Sequence, residues 1–215
     1  INEQIYRAGV RLLPMVTFLG IALGLIIVGQ TVALLTRVGA QNFAGMIMVT
    51  VIVRELGPLL TAILVLARIG TATVVELGTT RAMGEVEALE ALGIDPVHYL
   101  VVPRVIGLAL SIFSLTVYLI IISVLSGYAF GFLQDVPLRP IDYFNQLAAA
   151  LRWQDFVLLA LKTILFGTII AVIICFQGLA RPLRIEHVAG ATTRAVSHSV
   201  VACIFLEALF IVVYR

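Results

Sequence analysis

Four ionisable residues stand inside runs of aliphatic sequence. Arg54 and Glu55 interrupt "VIVRELGPLL" (51–60), Lys162 sits in "LLALKTILF" and Glu207 in "IFLEALF". A charge left at mid-membrane depth costs roughly 2.5–3.5 kcal/mol on insertion scales, so each must face protein or water. With a rise of ~1.5 Å per residue, Arg54 and Glu55 lie ~15 Å inward from residue 44, Lys162 ~10 Å from residue 156 and Glu207 ~10 Å from residue 214. Two cations and two anions in one layer can cancel, and the economical arrangement is a shared polar cluster. Arg54 and Glu55 are neighbours whose side chains diverge around a helix, so one lines a cavity while the other braces an adjacent helix. Gly57 and Pro58 sharpen the site, because Pro58 removes the backbone bond to residue 54 and favours a kink beside the charged pair. Two readings stand: an ion-paired clamp that fixes helix packing, or the polar lining of a transport cavity that meets an amphiphilic head group.

Known catalytic spacings are missing around these charges. Lys162 is the only lysine and no Gly-x-x-x-x-Gly precedes it, which excludes a phosphate-cradling loop of the Walker type. Neither His-Glu-x-x-His nor Gly-x-Ser-x-Gly occurs, and His98, His187 and His198 are scattered at expected membrane ends. The net charge of +2 in 215 residues, without a basic run, gives no footprint for nucleic acid. An intramembrane hydrolase using Glu55 or Glu207 is the remaining enzymatic alternative, and it predicts lipid cleavage products.

The elements that position these residues follow from composition. The sequence is 61% hydrophobic and 12% charged, and its uncharged runs exceed the ~20 residues that cross a bilayer. This predicts an all-α integral membrane protein with about five transmembrane helices, near 12–35, 44–68, 103–132, 156–177 and 195–214. Residues 1–11 read as an interfacial N-terminal segment of a single transmembrane domain spanning 1–215. The sequence begins at Ile1 rather than methionine, which leaves room for an upstream segment. The first apolar run is too long and too rich in glycine for a signal peptide. Cys175 and Cys203 fall in apolar runs and read as buried thiols.

Between the second and third spans lies "LGTTRAMGEVEALEALGIDP" (77–96), in which Glu85, Glu87 and Glu90 alternate with Val86, Leu89 and Leu92. The spacing predicts a short surface helix that stops at Gly93, with Pro96 behind it. Placing that segment on the cytoplasmic side puts Arg7, Arg11, Arg81, Arg104, Arg181, Arg184 and Arg194 inside, against Arg37, Arg139, Arg152 and Arg215 outside. This is the orientation the positive-inside rule favours. The 134–155 segment then becomes an extracytoplasmic loop with Tyr143, Phe144 and Trp153 as interfacial anchors. "GIALG" (20–24) and "GYAFG" (127–131) fit the small-x-x-x-small pattern that lets membrane helices touch. Arg68 and Glu76 mark the exit of the second helix to water.

The 43-residue block "RELGPLLTAILVLARIGTATVVELGTTRAMGEVEALEALGIDP" (54–96), together with "AGATTRAVSHS" (189–199), resembles the MlaE/YrbE family, membrane permeases of ABC transporters that work with MCE-domain proteins on lipids. Gly20, Gly24 and Gln30 add a weaker match. The resemblance implies a multi-pass protein of the inner membrane and a homodimer or paired heterodimer of permeases around a phospholipid cavity. It also implies a cytoplasmic ATPase partner that binds the ATP and magnesium, so that this chain holds no cofactor, and an MCE-domain lipid-binding partner on the far side. Carried onto this sequence, the intramembrane Arg-Glu pair falls on Arg54 and Glu55, beside Gly57 and Pro58. The buried lysine falls on Lys162 and the acidic position of the last helix on Glu207. "EALEALG" (87–93) resembles the loop by which such permeases dock on their ATPase. The coupling helix falls on 85–95, carrying Glu85, Glu87, Leu89, Glu90, Leu92, Gly93 and Asp95. Arg194 and His198 stand one turn apart at the entry to the last helix. A non-transporting scaffold that anchors the MCE and ATPase partners is the alternative function.

Overall fold

The computed structural model describes residues 6, 9–37, 39, 43–133, 140–179 and 188–213. It is all-α, with no strand among the described residues. Five helices are long and apolar enough to cross a membrane: α1 (Val10–Thr31), α2 (Gly45–Ala82), α4 (Val97–Phe130), α6 (Trp153–Leu179) and α7 (Gly190–Val213). Between them lie the short α3 (Glu85–Ala91) and α5 (Pro140–Ala150). Their outer surfaces carry large apolar side chains such as Phe18, Ile26, Phe132, Phe176 and Phe205. Such unpartnered greasy faces belong in lipid.

The ends of the spans differ from the sequence expectation. α2 does not end as a helix near residue 68 but continues to Ala82, 38 residues in all. At ~1.5 Å per residue it is about 57 Å long, more than the ~40–45 Å of a bilayer with its head groups. Arg68 and Glu76 mark no helix end, because backbone hydrogen bonding continues through charged residues once a helix has formed. α4 begins at Val97 rather than 103, α6 at Trp153, and the last helix is already formed at Val188. Arg7, Arg139, Arg181, Arg184, His187, Arg215 and the side chain of Arg37 lie outside the described residues, as does 134–139 of the expected outer loop.

Pro58 does not break α2. The preceding stretch Val49–Leu56 is a π-helix, and the Gly57 N–H bonds back five residues to the Ile52 carbonyl before α-helical spacing resumes. Proline has no N–H to place, so the switch in spacing at Pro58 strands no donor. A side chain at Gly57 would put its Cβ 2.5 Å from the Ile52 oxygen, so the wide turn demands glycine. Wide turns also occur at Gly24–Val28, Leu66–Gly70 and Val97–Val101.

The chain forms two compact units. One comprises Leu13–Thr61 and Ser114–Leu161. Its core is Met48, Ile52, Val124 and Tyr143, with Ile27, Leu35, Ile120, Tyr128 and Leu147 packed against it. α1 lies closely on α4, where a Cβ on Gly20 would stand 3.0 Å from Ile122 and one on Gly24 2.9 Å from the Gly127 nitrogen. The glycine pairs thus mark a helix contact, while Gly131's packing lies outside the described residues. Thr17 and Tyr118 share a hydrogen bond of 2.8 Å across the same seam. Tyr143 is not an interfacial anchor: it is buried, and its hydroxyl donates to the Val124 carbonyl at 3.2 Å. Phe144 is partly exposed and Trp153 largely so.

The other unit comprises Ile1–Leu12, Ala62–Phe113 and Lys162–Arg215. Phe166, Ile170 and Ile174 of α6 fill its centre with Leu66 and Leu77 of α2. Gly167 lets α6 meet α4 backbone to backbone, since a Cβ there would lie 2.5 Å from Ala109 Cα. Cys175 and Cys203 are buried thiols.

Candidate functional site

Lys162 on α6 and Glu207 on α7 meet, Nζ to Oε1 at 2.8 Å, with 6% and 9% of their side chains exposed. Phe210, almost one turn beyond Glu207, places its ring 5.8 Å from the same ammonium. The apolar lengths of α6 and α7 carry both residues to membrane depth, where each charge needs the other.

Arg54 has a partner that sequence reasoning missed. Its Nε lies 2.8 Å from Asp155 Oδ1 and its Nη2 donates to Oδ2 at 3.2 Å. Asp155, assigned from the sequence to the outer loop, is buried in the first turn of α6, and its Oδ2 also accepts the Arg152 N–H at 2.8 Å. A carboxylate reaching back to the N-cap N–H of its own helix is half of a capping box. An acidic residue two places after Trp153, at the start of an apolar run, was the available signal. Arg54 keeps 30% of its side chain exposed, so it is held from one side and accessible from the other. Glu55 is half-buried, and Gly57 and Pro58 are buried.

A third pair was also unforeseen. Arg104 of α4 is buried, donates to the Leu100 carbonyl at 2.7 Å and lies 3.0 Å from Glu76 of α2. Gln177 and His198 approach at 3.5 Å between α6 and α7.

The acidic helix is built by its ends. Gly84 (φ +78°) turns the chain out of α2, and Gly93 (φ +75°) turns it out of α3. The Ile94 N–H bonds to Leu89 O and the Gly93 N–H to Glu90 O, both at 3.0 Å, which is a Schellman stop. The helix therefore ends at Ala91 rather than 95. Asp95 instead starts the next element: its Oδ1 accepts the Val97 N–H at 2.9 Å, with Pro96 in the first helical position. Val86 is buried and Leu89 half-buried, whereas Leu92, past the end of the helix, is 75% exposed. Glu85, Glu87 and Glu90 are exposed, and around them Met83, Ile94, Val97 and Tyr99 leave apolar surface uncovered.

Comparison with known proteins gives the chain its relatives. A family model described as Permease MlaE matches residues 1–213. A probable ABC transporter permease protein of Rickettsia prowazekii is 31% identical over 199 residues, covering 93% of this chain and 76% of the relative. Protein TRIGALACTOSYLDIACYLGLYCEROL 1, chloroplastic, of Arabidopsis thaliana is 31% identical over 204 residues, 93% of this chain and 57% of that protein. The intermembrane phospholipid transport system permease protein MlaE of Haemophilus influenzae is 25% identical over 209 residues, 95% and 78% respectively.

Proposed function

Since the chain belongs to the MlaE permease family, we propose that it is the membrane subunit of an ABC transporter that moves phospholipid between the inner membrane and an MCE-domain partner. The observation that carries the reading is the family match over nearly the whole chain, joined to charges retained inside membrane spans. The relative from Haemophilus influenzae is named for intermembrane phospholipid transport, and the substrate class is taken from it.

The chain performs no catalysis in this scheme. A separate cytoplasmic ATPase holds ATP and magnesium and supplies the work of hydrolysis. It docks on α3, where three exposed glutamates are set among exposed apolar side chains, a composition suited to a basic, partly apolar groove. Two permease copies enclose the lipid cavity. Arg54, half open beside its buried carboxylate, meets the phosphate of the lipid. Lys162 and Glu207 keep the outer halves of α6 and α7 together while the cavity changes width.

The test is reconstitution of the chain with its ATPase and MCE partner between two vesicle populations. ATP-dependent transfer of labelled phospholipid is expected. An assembled, ATP-hydrolysing complex that transfers none would leave only a scaffold. For docking, Glu87→Lys with Glu90→Lys should abolish co-purification of the ATPase, and undiminished co-purification would remove α3 from the interface. For the charges, Arg54→Ala and Lys162→Ala should retain less co-purified phospholipid than the parent. Equal recovery with equal transport would return them to a packing role.

A further inference from the structure

Apart from the buried pairs, the unit formed by Ile1–Leu12, Ala62–Phe113 and Lys162–Arg215 holds a cavity of 660 Å³. Arg11 at the start of α1 and Arg68 on α2 both line it, together with Thr71, Thr73 and Glu76. Ile69, Ala72 and Val75 make the rest of the α2 wall apolar. Among the described residues neither Arg11 nor Arg68 makes an ion pair, while the charge of Glu76 is matched by Arg104 at 3.0 Å. Among the described residues, the cavity therefore presents two guanidinium groups outside any ion pair, with Glu76 on the same wall paired to Arg104.

Their depth can be worked from the helix. Arg68 stands 23 residues after Gly45, about 34 Å along α2. That is just past the ~30 Å of hydrocarbon, at the level of head groups on the α3 side of the membrane. Arg11 occupies the end of α1 that lines the same cavity, where an arginine belongs at a membrane boundary. Guanidinium groups bind phosphate with paired N–H donors, and the volume falls within the ordinary range of small-ligand pockets, roughly 300–1,000 Å³.

We infer that this cavity binds the phosphodiester head group of a phospholipid in the leaflet on the α3 side, Arg11 and Arg68 gripping the phosphate and the Ile69–Val75 wall receiving the glycerol end. The inference rests on the lipid-handling reading. It concerns residues that do not belong to the Arg54–Asp155 or Lys162–Glu207 pairs. A free phosphate offers the same chemistry to the arginines but has nothing to lay against the apolar wall.

The experiment uses the purified, delipidated transporter complex titrated with dioleoyl phosphatidylglycerol and followed by native mass spectrometry. Arg68→Gln is expected to weaken binding of the tightest lipid about tenfold, and Arg11→Gln with Arg68→Gln by more. Arg152→Gln, an exposed arginine elsewhere, should leave it unchanged. Inorganic phosphate in large excess should not displace the lipid. Equal affinity of the double variant and the parent overturns the site, and displacement by inorganic phosphate overturns the lipid assignment in favour of a free-anion site. Should the variants fail to assemble, the unsubstituted complex is photolysed with a phosphatidylglycerol carrying a head-group diazirine. Label on the peptide containing residues 66–76 is expected, and its absence there overturns the proposal. Failure of ATP-driven transfer would defeat the transport reading without touching this binding result.

Discussion

Removing one member of the Lys162–Glu207 pair should destabilise the protein far more than removing both. At 2.8 Å and an effective dielectric of about 20, the two charges attract by about 6 kcal/mol. Each has also lost several kcal/mol of hydration, so the intact pair is close to neutral for stability. Lys162→Met leaves a buried carboxylate beside Cys203 with its hydration gone and its ammonium removed. The expected cost is about 3–5 kcal/mol. For a chain of this length each kcal/mol lowers Tm by about 2–4 °C, so the single variant should melt roughly 6–20 °C below the parent in detergent. Glu207→Met should behave alike, since it takes the carboxylate from a buried ammonium. The double variant, two apolar side chains of similar length, should melt within a few degrees of the parent. Single variants that melt with the parent, or a double variant as unstable as the singles, would refute this reasoning. The same proteins also separate packing from transport. A double variant that is stable but transfers no lipid assigns the charges to the lipid path, and one that is stable and active assigns them to helix packing.

Other perturbations test separate features. Asp155→Ala removes both the partner of Arg54 and the cap on the Arg152 N–H; because Arg54 is partly solvated, a loss of about 1–3 kcal/mol is expected from melting curves. Gly167→Ala forces a Cβ onto Ala109 Cα at 2.5 Å, and should cost about 1–3 kcal/mol; an unchanged Tm would mean the α4 and α6 backbones do not touch. Gly93→Ala places a side chain at φ +75°, costing about 1–2 kcal/mol locally, and should reduce ATPase co-purification more than overall stability. Burial holds the Tyr143 phenol above its ordinary 10.0. The stability this represents is complete below that value and is lost as pH rises through the folded one. Tyr143→Phe should therefore flatten the alkaline side of a Tm-against-pH curve.

The five spans were legible because hydrocarbon thickness imposes a minimum apolar length that no other constraint in the sequence imitates. Their ends were not. Arg68 and Glu76 look like the end of the second helix, yet α2 runs through them, and Arg104, 28 residues from Glu76 in sequence, pairs with it. Partnerships of that kind leave no periodic trace. Depth alone put Lys162 and Glu207 in one layer with Arg54 and Glu55 but did not say which would pair, and Asp155 could not be assigned to Arg54, since it read as part of the outer loop. The Gly57–Pro58 step announced a disturbance of the helix. Its form, a wide π-helical turn, depends on where the donors before the proline find acceptors.

The joints on either side of α3 have one more consequence. Met83 and Gly84 on one flank and Leu92 to Asp95 on the other are laced by backbone bonds: Met83 to Thr79, Gly84 to Arg81, Gly93 to Glu90, Ile94 to Leu89 and Tyr99 to Asp95. Between Thr79 and Tyr99 only Ile94 and Asp95 lie outside helix or turn, and both take part in these bonds. A torque applied to those three exposed glutamates reaches both long flanking spans at once, as through a bell-crank without backlash.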